Sequence, residues 1–199
     1  ILDRNIHMIV GDYDDKPVIL YVDSGASKLA IVGDKSVKDI VSGEKYVHVA
    51  SSSNGLIAYV SSTPIDPPEL YVYDGREHKR ITGFHEWVRR EIKLYKPEYE
   101  RVVVDGERVD GWVMLPDDRE KPYPLILYIH GGPKGMYGYM FNPEFQLMVS
   151  EGFAIAYANP RGSDGYSEEF ADIRSRYGED DYRQLMVFLD HVLEKHIDK

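Results

Sequence analysis

The 199-residue sequence predicts an α/β fold preceded by antiparallel β hairpins, and three observations carry that expectation. The first half consists of short runs rich in valine, isoleucine and tyrosine, separated by turn dipeptides. The second half contains two continuous apolar runs without alternation, 125–129 and 153–158. Near the end, Leu185, Phe188, Leu189, Val192 and Leu193 fall at the i, i+3, i+4, i+7, i+8 spacing of a single helix face.

In the first half, residues 18–22, 46–50, 56–60 and 70–73 read as strands by composition and length. Turn signals lie between them: Ser24-Gly25, Gly33-Asp34, Asn54-Gly55 and Asp74-Gly75. The Asn-Gly pair suits a two-residue hairpin, because both central residues of such a turn take positive φ. A weak repeat is present, since Leu20-Tyr21-Val22-Asp23-Ser24-Gly25 returns fifty residues later as Leu70-Tyr71-Val72-Tyr73-Asp74-Gly75. A period of about 40 to 50 residues with four strands per unit marks a β-propeller blade. An ordinary antiparallel meander fits the same pattern. Fewer than three units are present, whereas a closed propeller has about 4 to 8 blades.

Lys96-Pro97-Glu98 is polar and proline-broken, as a linker is, and divides the chain into regions 1–98 and 99–199. Residues 101–104 and 109–115 flank Asp105-Gly106 as a hairpin, and 116–124 form a charged, proline-bounded loop. The run 125–129 has the character of a strand buried on both faces of a parallel sheet, and 153–158 is a second such strand. Between them, 144–150 is helical, with Phe145, Leu147 and Met148 apolar, and it ends at Glu151-Gly152, where glycine can take the left-handed cap conformation. Residues 180–195 form the last helix, acidic at its start and closed by Lys195 and His196. Strand, helix, strand and helix in succession imply a parallel sheet with right-handed crossovers.

Composition narrows the function. With 43% hydrophobic and 29% charged residues the chain can bury a core, so a wholly disordered reading fails. Asp and Glu number 34 against 24 Lys and Arg, and the net charge of -10 would repel a phosphate backbone, so nucleic acid is not an expected partner. No apolar run approaches the length of a membrane span, and Asp3, Arg4, Asp12, Asp14, Asp15 and Lys16 break up the start of the chain. Neither a membrane nor an export signal is expected. Cysteine is absent, which removes disulfides and thiol chemistry and points to the cytoplasm. No metal site is expected, because there is no cysteine, no His-x-x-x-His and no calcium-loop spacing. Asp12-Tyr13-Asp14-Asp15 reads as a solvated turn. No glycine-rich phosphate loop appears, and no cofactor is expected.

The residues that could carry chemistry lie at the ends of the two buried strands. His130-Gly131-Gly132-Pro133 directly follows the first. Glycines at a strand end leave backbone N–H groups unshielded, and a preorganised donor of this kind stabilises an oxyanion by about 3 kcal/mol; a tight turn is the plainer reading. Ala158-Asn159-Pro160-Arg161-Gly162-Ser163-Asp164-Gly165-Tyr166 follows the second strand. With these motifs the sequence resembles the prolyl oligopeptidase family of serine peptidases, and within it the acylaminoacyl peptidase branch, where a β-propeller precedes an α/β-hydrolase domain. The aromatic-rich stretch 137–145, Glu168-Glu169-Phe170 and Tyr177-Gly178 continue the match, which is strong over 102–199. The resemblance implies the N-terminal part of an α/β-hydrolase domain preceded by propeller-like blades. It gives Gly132 the role of oxyanion donor through its backbone N–H, with Gly131 shaping the turn. Where the prolyl oligopeptidase branch has a tyrosine, His130 stands here, so a structural hydrogen bond is its expected role. Arg161 either anchors its own loop through its five donors or contacts substrate.

A serine hydrolase of this architecture needs a Gly-x-Ser-x-Gly elbow followed by an acid and a histidine, and no such pentapeptide occurs here. Ser27 follows Gly25-Ala26 but precedes Lys28-Leu29, and Ser163 belongs to the loop already assigned. The resemblance places the elbow beyond residue 199. His7, His48, His78, His85, His191 and His196 precede the place of a catalytic histidine and are expected to be surface or capping residues. The expected function is a portion of a serine peptidase acting on N-acylated or short oligopeptides through an acyl-enzyme. Its partners would be a peptide substrate and the remainder of the catalytic domain, or a second chain carrying it, and a homo-oligomer is admitted. A catalytically silent binding or assembly subunit, or an esterase of the same fold, are the alternatives.

Overall fold

Five two-residue turns close hairpins among the described residues, and four of them share one backbone geometry. Asp14-Asp15, Ser24-Gly25, Asn54-Gly55 and Asp105-Gly106 all have φ between 50 and 85° at both positions, the geometry that matches the twist of the flanking strands. The computed structural model describes residues 2–117, 119–132 and 134–197. Its backbone groups into two units, one running to Leu94 and taking in Tyr139–Phe141, the other comprising Tyr95–Gly138 and the chain from Asn142 onward.

The first unit contains β1 (Ile6–Tyr13), β2 (Lys16–Asp23), β3 (Ala26–Val32), β4 (Val37–Val41), β5 (Tyr46–Ser53), β6 (Leu56–Thr63), β7 (Asp66–Tyr73), β8 (His78–Arg80) and a short helix α1 (Glu86–Glu91). Strands β1 to β4 pair antiparallel in order, and so do β5 to β8. One parallel pair, Ser27 with Tyr46, joins the two meanders. Strands starting at residues 6, 16 and 26 are answered by strands starting at 46, 56 and 66, a spacing of 40 residues. The repeat is therefore real, but its register is 40 and not 50. The match of Leu20–Gly25 to Leu70–Gly75 sets the second strand of one meander against the third strand of the other. Val18, Leu20, Leu29, Val47, Ile57 and Tyr59 are buried together in the core of this unit. β7 extends N-terminally beyond the expected 70–73 through Pro67 and Pro68. These prolines sit where the β6 register shifts and where β8, paired only to Tyr71–Tyr73, makes no demand on their missing N–H. Helix α1 falls in a stretch where no helix was expected.

The second unit contains β9 (Glu98–Val104), β10 (Glu107–Met114), β11 (Leu125–Tyr128), α2 (Pro143–Ser150), β12 (Ala154–Asn159), α3 (Glu168–Ala171) and α4 (Asp180–Val192), which continues as one π-helical turn, Leu193–Ile197. The strand order is β11-β12-β10-β9, parallel only between β11 and β12. The sheet is thus mixed, because β9 and β10 are a hairpin and the crossover through α2 joins only the other two strands. Helix α4 lays Leu185, Phe188 and Val192 on Val109, Val113, Ala156 and Ala158. Gly111 makes room for this, since a Cβ there would stand 2.3 Å from Phe188 Cζ. Alternate residues of β12 face the other way, and Phe145 of α2 packs its ring 5.0 Å from Tyr157. Asn142 caps α2 by accepting from the Glu144 and Phe145 N–H groups, and Gly152 takes φ +98° just past its end, as the sequence requires.

β12 is buried at every residue, as expected. β11 is not: its residues are half-buried, and Ile129 lies outside the strand, 59% exposed. Among the described residues β11 has β12 as its one strand neighbour, so an apolar run suited to burial on both sides stands at a sheet edge.

Candidate active site

Because β11 and β12 are parallel, the loops that follow them leave from the same edge of the sheet, the position where open α/β sheets bind ligands. The two sequence motifs meet there. His130 Nε2 lies 2.8 Å from Ser163 Oγ, and the Asp164 N–H donates to Gly135 O at 2.8 Å. Asn159, the fully buried last residue of β12, treats Tyr137 as a strand partner: its Oδ1 accepts from the Tyr137 N–H at 2.8 Å and its Nδ2 donates to Tyr137 O at 2.9 Å. Four hydrogen bonds thus tie the glycine turn to the second loop.

The two glycines of the turn differ. Gly132 has φ +135°, and a Cβ added there would stand 2.8 Å from the backbone nitrogens of both Lys134 and Gly135, so conformation and space each require glycine. A Cβ at Gly131 meets nothing within 4 Å. Gly135, which the sequence reading passed over, is as short of space as Gly132. Its Cβ would fall 2.4 Å from Gly131 O and 2.9 Å from His130 Nδ1. The third glycine in Gly131-Gly132-Pro133-Lys134-Gly135 was the signal available for it. The His130 ring packs edge-on to Tyr137 at 5.5 Å, and its Nδ1 lies 3.2 Å from Gly131 O. Burial lowers the His130 pKa and outweighs the opposing pull of that carbonyl, so the neutral ring is favoured.

A polar network underlies the loops. Asp110 of β10, fully buried, accepts from Arg108 Nε at 2.6 Å, from Tyr166 Oη at 2.9 Å and from Tyr99 Oη. Burial, followed by the charge of Asp110, pushes the Tyr166 hydroxyl well above its usual pKa, so it stays a donor. Arg161 ion-pairs with Glu107 at the start of β10, and its Nη2 donates to Glu169 O at 3.0 Å. Its backbone N–H donates to Gln184 Oε1 at 2.6 Å, and Gln184 Nε2 donates back to Glu107 at 2.8 Å. With its side chain 11% exposed, Arg161 anchors the loop between β12 and α3 to β10 and α4.

Ser163 is buried against His130, and Ser27 donates from inside β3 to Val47 O at 2.7 Å. His196 is less superficial than expected and His48 is half-buried, whereas His7 and His78 are exposed as expected. His48 Nε2 lies 2.8 Å from Ser62 Oγ, and His78 Nδ1 lies 2.9 Å from Tyr59 Oη while its ring stacks on Tyr73 at 4.6 Å. His196 is buried on Glu100. The π turn, invisible to an α-helical reading of the sequence, carries it there. Glu98, Glu100 and His196 bring three ligand-type atoms within 4.8 Å of one another, a grouping that His-x-x-x-His arithmetic overlooked.

Residues 139–198, which contain the second loop, match the prolyl oligopeptidase family. The chain belongs to the prolyl oligopeptidase family. It is 34% identical over 209 aligned residues to "Uncharacterized peptidase YuxL" of Bacillus subtilis (strain 168), covering 96% of this chain and 32% of that protein. It is 28% identical to dipeptidyl-peptidase 5 of Trichophyton schoenleinii, covering 92% of this chain and 24% of the relative. Among solved structures, the Pyrococcus horikoshii acylaminoacyl peptidase superposes with a TM-score of 0.90 at 32% identity, over 98% of this chain and 32% of that one. Porphyromonas gingivalis dipeptidyl peptidase 4, 12% identical with a TM-score of 0.79, shares the fold. The chain spans about a third or less of the length of these proteins.

Proposed function

We propose that this chain supplies the oxyanion-stabilising loop of a serine peptidase of the acylaminoacyl peptidase type, acting on N-acylated or short oligopeptides. The observation that carries this reading is the junction of the Gly131-Gly132 turn with the 159–166 loop at the ends of two parallel strands. In the reaction a serine Oγ attacks the substrate carbonyl, its proton passing to a histidine, and negative charge develops on the carbonyl oxygen. The Gly132 N–H, held by a turn that only glycine fits, donates to that oxygen, and Gly131 leaves the approach open. The tetrahedral intermediate then collapses to an acyl-enzyme as the C–N bond breaks and the amine leaves with the histidine's proton, and water hydrolyses the acyl-enzyme. Arg161 acts by holding the loop, with any substrate contact secondary to that. The nucleophile lies outside residues 1–199, since no Gly-x-Ser-x-Gly occurs in them.

The 40-residue spacing and the four strands per meander support reading the first unit as propeller blades. β11, apolar and at a sheet edge, offers the backbone on which a further strand of the catalytic domain, or of a second chain, would pair. No helix of the described residues is long and apolar enough to cross a membrane, and a cytoplasmic setting is part of this proposal.

Two experiments test it. The isolated chain treated with a fluorophosphonate should take up no label, and stoichiometric labelling of a serine within it would overturn the assignment of the nucleophile. In the whole enzyme, Gly132→Val should lower kcat by about 10² to 10³ with little change in KM, as loss of one oxyanion donor does. A folded Gly132→Val enzyme with unchanged kcat returns the motif to a tight turn.

A further inference from the structure

We infer that β9 and the end of α4 form a binding site for a divalent transition-metal ion of the zinc type, with Glu98, Glu100 and His196 as its ligands. The proposal concerns residues apart from the candidate active site, and nothing in the peptidase reading requires it. Strand alternation puts Glu98 and Glu100, two residues apart, on one face of β9. Helix α4 brings His191 to that face, with its Nε2 2.9 Å from Glu100 Oε2. A continuing α-helix would carry residue 196 away from that face, since five residues overshoot a 3.6-residue turn. The wider π turn of Leu193–Ile197 returns it, and His196 Nε2 lies 2.8 Å from Glu100 Oε1. Single π turns are frequent at functional sites.

The donor atoms of Glu98, Glu100 and His196 lie within 4.8 Å of one another. An ion bonding nitrogen and oxygen at about 2.0 to 2.2 Å closes that span with small side-chain rotations. Glu100 and His196 are buried and Glu98 is exposed, so the ion would enter from the Glu98 side. One imidazole with two carboxylates suits Zn²⁺, whereas Mg²⁺ and Ca²⁺ favour oxygen ligands throughout. Three protein ligands leave a fourth position for water. His191 stays the positioning residue, holding the second Glu100 oxygen as outer partners of metal ligands do.

Lys195 gives the site its signature. Its Nζ lies 2.6 Å from Glu100 Oε1, the oxygen His196 also approaches, so an ammonium occupies part of the place an ion would take. The Lys195 side chain is more than half exposed and can swing into water when the ion binds. Lysine and metal therefore compete for one carboxylate.

The test is a calorimetric titration of chelator-stripped chain with Zn²⁺, paired with Co²⁺ titration read by d–d absorption. One equivalent should bind, with a tetrahedral Co²⁺ spectrum. His196→Ala should weaken binding by more than about 10-fold, the loss typical even of outer partners. Should that buried substitution disturb folding, Glu98→Ala provides the same reading from an exposed position, with thermal unfolding as the control. Lys195→Ala should bind Zn²⁺ several-fold more tightly, an outcome that a purely structural ion cluster would not give. Absence of saturable Zn²⁺ binding, equal binding by wild type and Glu98→Ala, or no gain in Lys195→Ala would each overturn the proposal.

Discussion

The two units build the same small contact by different means. In the first, His48 and Ser62 stand 2.8 Å apart on β5 and β6, neighbouring strands whose backbone ladder brings them together. In the second, His130 and Ser163 stand at the same 2.8 Å, but on two loops with no ladder between them. Order in the meanders is a property of the backbone, set by hairpin turns and repeated at a fixed spacing. Order in the loops after β11 and β12 is a property of particular side chains, chiefly Asn159, Arg161 and Asp110. A region positioned by side chains can be reshaped by single substitutions, which suits a place where chemistry is to be tuned.

The largest effects should come from the two cores. Phe188→Ala removes a fully buried ring packed over Gly111 and should cost about 3–5 kcal/mol, and Leu29→Ala in the first unit about 2–5 kcal/mol, measured by urea unfolding. Hydrogen exchange then sharpens the comparison. If Phe188→Ala lowers amide protection in β9, β10 and β12 and leaves β2 and β3 protected, the two units open separately; equal loss in both would make them one cooperative block. The next effect separates side-chain from backbone order. Asn159→Ala strands the half-buried N–H and carbonyl of Tyr137 together and should cost about 1–3 kcal/mol, while Ser27→Ala, which removes one bond to Val47 O beside an intact ladder, should cost about 0.5–1.5 kcal/mol. Equal costs would erase the distinction drawn between the two regions.

The same distinction decides what the sequence made legible. Turn dipeptides such as Asn54-Gly55 and the unbroken run at 153–158 announce their structure locally, because φ sterics and the burial of β12 act on neighbouring residues. The repeat was visible but misread by ten residues, since Leu-Tyr-Val recurs in strands of different rank and composition does not record pairing. The glycine turn and the 159–166 loop were found as motifs, yet their mutual bonds are made across 22 to 33 residues and have no local trace. Glu107, Asp110 and Gln184 were missed for the same reason: an ordinary strand acid or helix amide becomes an anchor only when a distant loop arrives. The cluster on Glu100 escaped because helical arithmetic assumes 3.6 residues per turn, and the π turn breaks that assumption at His196.

The smallest effect is a matter of pH, and it compares the two histidine–serine pairs directly. Burial lowers the pKa of His48 and of His130 below the ordinary 6.5. Between that value and the lower folded value the unfolded chain binds more protons than the folded one. Each ring's contribution to stability is therefore complete above about pH 6.5 and declines as the pH falls through the folded pKa. Imidazole resonances followed by NMR should show both rings titrating below 6.5. The pairs should part company when serine is removed. The Gly131 carbonyl 3.2 Å from His130 Nδ1 can only accept, which assigns the proton to Nδ1 and makes Nε2 the acceptor of the Ser163 hydroxyl. That bond exists only for the neutral ring, so Ser163→Ala should raise the His130 pKa toward 6.5. At His48 burial lowers the pKa as well, but among the described residues no carbonyl faces Nδ1 to fix the tautomer, so its Nε2 can donate to Ser62 as readily as accept from it. Ser62→Ala should accordingly move its pKa less than Ser163→Ala moves that of His130. A larger change at His48 would mean that the ladder, and not the loop, depends on its serine.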